Sequence, residues 1–383
     1  MSTEKSPLVV LAAGGTGGHV YPAEALASEM LKRGYRLALI TDRRGNAYGG
    51  VLGELETFRV RAGGVAGKGP FARIQSVFEI ALGIWQARAI LKRIQPQAVV
   101  GFGGYASVPT LVAACLGKYK TAIHEQNAVF GRANRALAPR VDRVITCFED
   151  IEEISEAIRR KTVRCGMPVR AAVFAQRDTP YPDLDGQSPV NVLVLGGSQG
   201  ARVLSDVVPA AMMALPEPLK ARIRITQQCR PEDLERVRAA YKQAGMLAEL
   251  SSFFNDVPLR MAKSHLVIGR CGASTVAETL VIGRPSILVP YPYAIDDHQM
   301  KNAHAVDDAG AGWLMPEKSF TAEALSRRLE NLLSIPNTLK KAAACARSVG
   351  RPDAAERLAE IVEDLINGRG SNDNGPDNRR QAA

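Results

Sequence analysis

Val192–Leu193–Val194–Leu195–Gly196–Gly197–Ser198–Gln199–Gly200 is the stretch that decides the fold of this 383-residue chain. Four apolar residues in a row read as a fully buried strand. The glycines then let the backbone turn sharply without a Cβ penalty. Ala201–Arg202–Val203–Leu204 continues as a helix. A strand-to-helix turn of this kind gathers unpaired backbone N–H groups at one spot, where the helix dipole favours an anion. The pattern recurs near the N-terminus, where Leu8–Val9–Val10–Leu11 runs into Gly14–Gly15–Thr16–Gly17–Gly18–His19. Two such turns about half a chain apart predict two stacked nucleotide-binding-type domains with a cleft between them.

The rest of the chain fits that frame. At roughly 100–200 residues per domain, its length gives two or three domains. Pro22 to Arg33 reads as a helix stopped by Gly34, and Leu37–Ala38–Leu39–Ile40 as a second buried strand. Ala98–Val99–Val100, Thr121–Ala122–Ile123 and Val144–Ile145–Thr146–Cys147 continue the series. Gly166–Met167–Pro168–Val169–Arg170 marks the crossover, and residues 176–188 have the Pro, Asp and Gln content of a linker. Strands then resume at 191–195, 222–226, 248–253, 266–268 and 286–289. Alternating strands and helices in both halves predict α/β domains with doubly wound parallel sheets.

Charge and cysteines narrow the function. The net charge of +10 suits nucleic acid, an anionic membrane face or a phosphorylated substrate, or reflects a basic surface with no specific partner. The six cysteines form no Cys-x-x-Cys pair, which argues against structural zinc and fits a reducing cytoplasm. No window reaches the roughly 18 apolar residues of a spanning helix, and the first apolar run is too short for a signal peptide. Any membrane contact is therefore expected to be peripheral. After Pro70, the residues Ile74, Val77, Phe78, Ala81, Ile84 and Trp85 recur at helical spacing, with Lys68, Arg73, Arg88, Lys92 and Arg93 around them. Two readings stand: a helix packed on the sheet, or an apolar patch with a basic rim that touches anionic lipid.

Several residue types carry chemistry. The first glycine loop lacks the lysine of a P-loop, and Asp42 is its only candidate ribose hook. His19, at the mouth of a helix, is placed as a general base or an anion ligand. Gly103 and Gly104, before Tyr105, form a second such loop expected at the same crevice. In Arg270–Cys271–Gly272–Ala273–Ser274–Thr275–Val276–Ala277–Glu278, the amides of Ala273, Ser274 and Thr275 suit a diphosphate. Glu278 shares a helix face with Ser274 and suits a ribose, or is only a dipole partner. Gln299 offers both a donor and an acceptor to sugar hydroxyls. Asp296 and Asp297 lack a third oxygen ligand for a metal, and an N-cap role is expected of them.

Five motifs stand in order: Gly14–His19, Gly101–Tyr105, His124–Asn127, Gly196–Ala201 and Arg270–Glu278. Through them residues 8–365 resemble the family-28 glycosyltransferases that convert lipid I to lipid II in bacterial cell-wall synthesis. The resemblance implies the GT-B fold, with two Rossmann-like domains facing across a cleft. Residues 1–170 would form the acceptor and membrane-association domain, with a helix at about 352–367 packed back on it. Residues 171–351 would bind the donor, UDP-N-acetylglucosamine (UDP-GlcNAc), and 368–383 would be a disordered tail. The implied reaction is an inverting transfer to the 4-hydroxyl of undecaprenyl-diphospho-N-acetylmuramoyl-pentapeptide.

The resemblance also implies residue roles. Thr16, Gly17 and Gly18 would face the donor sugar and the acceptor diphosphate, with His19 as the base. Asn127 and Gln299 would contact sugar hydroxyls and Ser198 the donor phosphate. Arg170 would line the nucleotide side, Phe254 would read uracil through its backbone, and Ala273, Ser274, Thr275 and Glu278 would hold the nucleotide. Gly14, Gly15, Gly103, Gly104 and Tyr105 would form the acceptor-diphosphate loops. No resident cofactor or metal is implied, with magnesium at most stimulatory. Partners would be UDP-GlcNAc, lipid I, an anionic membrane surface and cell-wall synthesis complexes, without nucleic acid. The location would be peripheral, on the cytoplasmic face of the inner membrane. The rival readings are a UDP-sugar 2-epimerase or another GT-B enzyme with a lipid acceptor, a non-catalytic UDP-sugar sensor, and a dinucleotide-dependent oxidoreductase.

Overall fold

The computed structural model describes residues 6–15, 17–42, 49–63, 70–149, 151, 154–197, 200–335 and 337–369. Thr16, Ser198, the side chain of Ile74 and the 370–383 part of the tail lie outside the described set. The chain divides into two compact units, Met1–Arg170 with Asp353–Ala383, and Ala171–Pro352.

In the first unit the apolar runs become strands β1 (Leu8–Ala12), β2 (Arg36–Thr41), β3 (Glu56–Arg59), β4 (Ala98–Gly101), β5 (Lys120–Glu125), β6 (Arg143–Thr146) and β7 (Thr162–Arg164). They pair in the order β3-β2-β1-β4-β5-β6-β7, all parallel. A parallel sheet is covered on both faces, so its inner strands are apolar throughout. β1 shows how. Val9 and Leu11 pack in one layer with Leu26 and Met30 of the Gly17–Lys32 helix and with Leu358 and Val362 of the Ala354–Ile366 helix. Leu8, Val10 and Ala12 face the opposite layer, with Leu91 of the Pro70–Ile94 helix and Leu111 of the Gly104–Leu116 helix.

The second unit repeats the plan. Strands β8 (Val190–Leu195), β9 (Ile223–Gln228), β10 (Ala248–Ser251), β11 (Leu266–Gly269), β12 (Ser286–Leu288) and β13 (Gly312–Leu314) run parallel in the order β10-β9-β8-β11-β12-β13. In each sheet the order reverses once, between β1 and β4 and between β8 and β11. Ligands of open α/β sheets bind at such a reversal, beyond the carboxyl ends of the strands. The four glycine-rich turns picked out in the sequence follow these four strands.

Three expectations need correction. The first helix begins at Gly17, not Pro22, so the glycine loop itself supplies its first turn. Pro22 sits inside the helix, at the expense of one backbone bond. Strands β3, β7 and β13 went unannounced, because they are short outer strands without a solid apolar run. The linker-like segment is also pinned to the second unit. Arg284, 1% exposed, donates to the carbonyls of Thr179 and Pro180, at 3.3 and 2.9 Å, and to those of Ala262, Ile282 and Gly283. Tyr181 donates to the carbonyl of His265 at 2.8 Å.

The Ala354–Ile366 helix closes one layer of the first unit. Leu358→Ala should therefore destabilise that unit by about 2–5 kcal/mol. In hydrogen-exchange mass spectrometry under rising urea, peptides of β1 should lose protection early while those of β8 keep theirs. Equal loss in both units would contradict this packing.

Candidate functional site

In the first unit the turns after β1 and β4 meet around one histidine. Gly15, Gly103 and Gly104 hold φ values of +90°, +82° and +70°, a left-handed backbone that glycine adopts without strain. A Cβ on Gly103 would stand 3.3 Å from His19 Nδ1, and one on Gly104 3.6 Å from Nε2. The imidazole is thus packed against bare backbone. Its Nδ1 lies 2.8 Å from the Phe102 carbonyl. A carbonyl can only accept, so Nδ1 carries the proton and Nε2 keeps a lone pair. The Gly104–Leu116 helix starts here with no side-chain cap on its first-turn amides. Gly14, Gly15, His19, Gly103, Gly104 and half-buried Tyr105 therefore form one locus.

β5 delivers the next residues. Glu125 is 1% exposed, and its oxygens are occupied. Oε1 accepts from the Asn127 N–H at 3.1 Å and from Asn127 Nδ2 at 3.4 Å. Oε2 accepts from the Gly131 N–H at 2.9 Å and from Asn134 Nδ2 at 2.8 Å. Glu125 thereby fixes the loop that presents Asn127. Gln126 Nε2 donates to the same Phe102 carbonyl that receives His19, also at 2.8 Å. His124 is fully buried, and burial, aided by the nearby His19, pulls it down to about 3. It is neutral at physiological pH. The supporting roles of Gln126 and Asn134 had no signal beyond residue type. Arg170 stands over the Tyr21 ring at 4.7 Å, beside the first helix. Asp42 is buried next to the Gly14 turn.

In the second unit Gly197 and Gly200 hold φ values of +78° and +67°, and the Gly200 N–H closes on the Gly197 carbonyl at 3.1 Å. After β11, Gly272 precedes the Ala273–Ile282 helix, again with no side-chain cap. The Ser274 hydroxyl is buried in the first turn without a partner among the described residues, and Glu278 lies 7% exposed one turn on. The Cys271 peptide is clamped from the His298–Asp308 helix. Gln299 Oε1 accepts its N–H at 3.3 Å, and Asn302 Nδ2 donates to its carbonyl at 3.0 Å. Gln299 Oε1 also accepts the Tyr291 N–H at 2.9 Å. Gln299 is therefore not bifunctional toward a sugar: its acceptor is spent on backbone, and the NH2 group is what it offers. Phe254 is buried under Arg260, whose Cζ lies 4.3 Å from the ring centroid.

Two further expectations change. Asp297 occupies the N-cap position but makes no capping bond. Its φ of +52° is left-handed, whereas a capping side chain needs extended backbone to reach the first-turn amides. On the Pro70–Ile94 helix, Val77, Phe78 and Trp85 are 60%, 63% and 71% exposed, and Ala81 lies between them. Their spacing puts them on one face, continued by exposed Arg88 and Lys92. Ile84 does not belong to that stripe, because it is half-buried against the core. Among the described residues, no three His, Cys, Asp or Glu side chains are arranged to hold a metal ion.

Comparison with known proteins adds kinship to geometry. The glycosyltransferase family 28 N-terminal domain matches residues 9–146, and the family's C-terminal domain matches 191–358. A relative from Paramagnetospirillum magneticum is 61% identical over 366 residues, which is 96% of this chain and 98% of that protein. It is named UDP-N-acetylglucosamine--N-acetylmuramyl-(pentapeptide) pyrophosphoryl-undecaprenol N-acetylglucosamine transferase. The crystal structure of Acinetobacter baumannii MurG superposes with a TM-score of 0.75 at 27% identity, over 94% of this chain and 99% of that one. A UDP-GlcNAc 2-epimerase from Neisseria meningitidis, solved with UDP-GlcNAc, gives 0.63 at 13% identity, over 94% and 100%; this is a likeness of fold alone.

The buried His124 makes a pH test of the first unit. Its folded value, about 3, lies below the ordinary 6.5, so the unfolded chain takes up the proton first. Stability is full above 6.5 and falls as pH drops from there toward 3. Between pH 7 and 5 the loss should be about 2 kcal/mol. Urea titrations of His124→Gln should show a flatter pH dependence across that window; parallel curves would contradict the assignment.

Proposed function

This chain belongs to glycosyltransferase family 28, among the N-acetylglucosamine transferases acting on pyrophosphoryl-undecaprenol-linked N-acetylmuramyl-pentapeptide, and we propose how its residues divide that reaction. N-Acetylglucosamine passes from UDP-GlcNAc to the 4-hydroxyl of lipid I, giving lipid II with inversion. The hydroxyl oxygen bonds to the anomeric carbon from the face opposite UDP as the bond to the diphosphate breaks. His19 Nε2 takes the hydroxyl proton. The observation that supports this role is the Nδ1 hydrogen bond to the Phe102 carbonyl, which fixes the ring and leaves Nε2 as acceptor. Gly14, Gly15, Gly103, Gly104 and Tyr105 receive the acceptor diphosphate, with the open amides of the Gly104–Leu116 helix behind them.

The donor goes to the second unit. The uncapped N-terminus of the Ala273–Ile282 helix faces the diphosphate with the amides of Ala273, Ser274 and Thr275, and Glu278 accepts from the ribose. Gln299 donates to a hydroxyl of the transferred sugar, Asn127 contacts another, and backbone at Phe254 reads uracil. Thr16, Gly17, Gly18, Arg170 and Ser198 keep the roles the family resemblance gives them. Charge growing on the leaving diphosphate is met by helix amides, so the scheme needs no resident metal, and magnesium is at most stimulatory. The epimerase reading would need a working carboxylate from the first unit, and Glu125 is committed to its own loop.

The acceptor's polyprenyl tail stays in a bilayer, so the enzyme works at a membrane surface. Among the described residues no helix is long and apolar enough to cross a membrane. The exposed stripe Val77–Phe78–Ala81–Trp85, with Arg88 and Lys92 beyond it, fits the boundary of an anionic leaflet. We place the protein peripherally on the cytoplasmic face of the inner membrane, within reach of cell-wall synthesis complexes.

His19→Ala should lower turnover by about 100-fold or more, while UDP affinity stays within about twofold. UDP release with a lipid I analogue and calorimetry read the two effects, and unchanged turnover removes His19 as the base. Replacing Val77, Phe78 and Trp85 together by Ser should reduce sedimentation with anionic liposomes and leave UDP binding intact. Full retention on liposomes would sink the membrane reading.

A further inference from the structure

Beside the Gly196–Gly200 turn stands a residue that no motif singled out. Arg230 lies just past β9, the neighbour of β8 in the sheet, so it emerges at the same edge as the turn. Its stem crosses Gly200. A Cβ built on Gly200 would stand 2.7 Å from Arg230 Cγ and 3.6 Å from Nε. Glycine at 200 thus serves twice: it accepts φ of +67°, and it leaves room for the arginine.

Among the described residues no hydrogen bond or ion pair engages the guanidinium. Its Nε is buried, and among the described residues it has no hydrogen-bond partner and no carboxylate pairs with the side chain. The acids close by are engaged elsewhere: Asp233 and Asp206 both bind Arg236, at 2.7 and 2.6 Å. The other arginines of this edge are satisfied. Arg270 pairs with Glu317 at 2.6 Å, and Arg260 with Glu249 at 2.6 Å and Asp256 at 2.7 Å. Only the backbone of Arg230 is tied down, its carbonyl accepting the Asp233 N–H at 3.0 Å. A buried N–H without an acceptor is rare in a folded chain and calls for an explanation. A guanidinium at a glycine turn that closes on an anion has one at hand: phosphate oxygens, which its planar fork binds in pairs.

We propose that Arg230 is a ligand of the donor diphosphate, reaching it over Gly200 from the β9 side of the turn. It holds the phosphates in the ground state and stabilises the negative charge of UDP as it leaves. This inference rests on the reading that the 196–200 turn holds the donor phosphates.

The test measures binding of UDP and UMP to the full chain by calorimetry, and of uridine by ligand-detected NMR. Arg230→Gln should weaken UDP about tenfold or more, weaken UMP less, and leave uridine within about twofold. Arg230→Lys keeps the charge without the fork and should recover part of the UDP affinity. Unchanged UDP affinity in Arg230→Gln overturns the proposal. So does an equal loss for UDP and uridine, which would mark a structural role. Failure of the unaltered chain to bind UDP would instead overturn the donor reading beneath it.

Discussion

Parallel strands impose the constraint on which everything else depends. Each must be followed by a crossover, so all their carboxyl ends fall on one edge of the sheet. Where the strand order reverses, two neighbouring crossovers leave toward opposite faces and part company at that edge. The reversals lie between β1 and β4 and between β8 and β11. Glycine follows each of these strands because the chain must turn at once into a helix there. In each sheet the helix N-termini, with their open amides, then stand at the reversal, where open α/β sheets bind anions. The anion chemistry of this enzyme is thus built into the winding of its sheets, with few side chains needed to support it.

The His19 imidazole is fixed by the same economy. One backbone carbonyl, that of Phe102, receives both His19 Nδ1 and Gln126 Nε2. Nearby, His124 is neutral, and both oxygens of Glu125 are committed to N–H donors of the loop that follows β5. The orientation of the imidazole therefore depends on main-chain position more than on a partner carboxylate. Loops drawn from β1, β4 and β5 have to close together for the ring to be held at all.

Much of this was legible in the sequence, for a definite reason. Inner strands of a covered parallel sheet are solidly apolar, and their turns are rich in glycine, so both units and all four turns could be read directly. Outer strands such as β3 lack that signature. Side-chain commitments were also hidden: residue type shows what Gln299 and Glu125 can donate or accept, but not that backbone amides already occupy their oxygens. Asp297 has the right residue type for a cap and the wrong backbone for one. Ile84 has the right spacing for the exposed stripe and the wrong depth. Arg230 gave no signal, because its meaning depends on crossing a glycine thirty positions away in the chain.

The Ala354–Ile366 helix gives the molecule a birth order. Its Leu358 and Val362 complete a layer begun by Leu26 and Met30, yet the ribosome reaches them only after the whole of the second unit. During synthesis the second unit has all its strands while the first still shows water an apolar flank awaiting its cover. The half of the enzyme made first is the last to be finished. In that interval the nascent chain is most exposed to aggregation and most in need of a chaperone's hold.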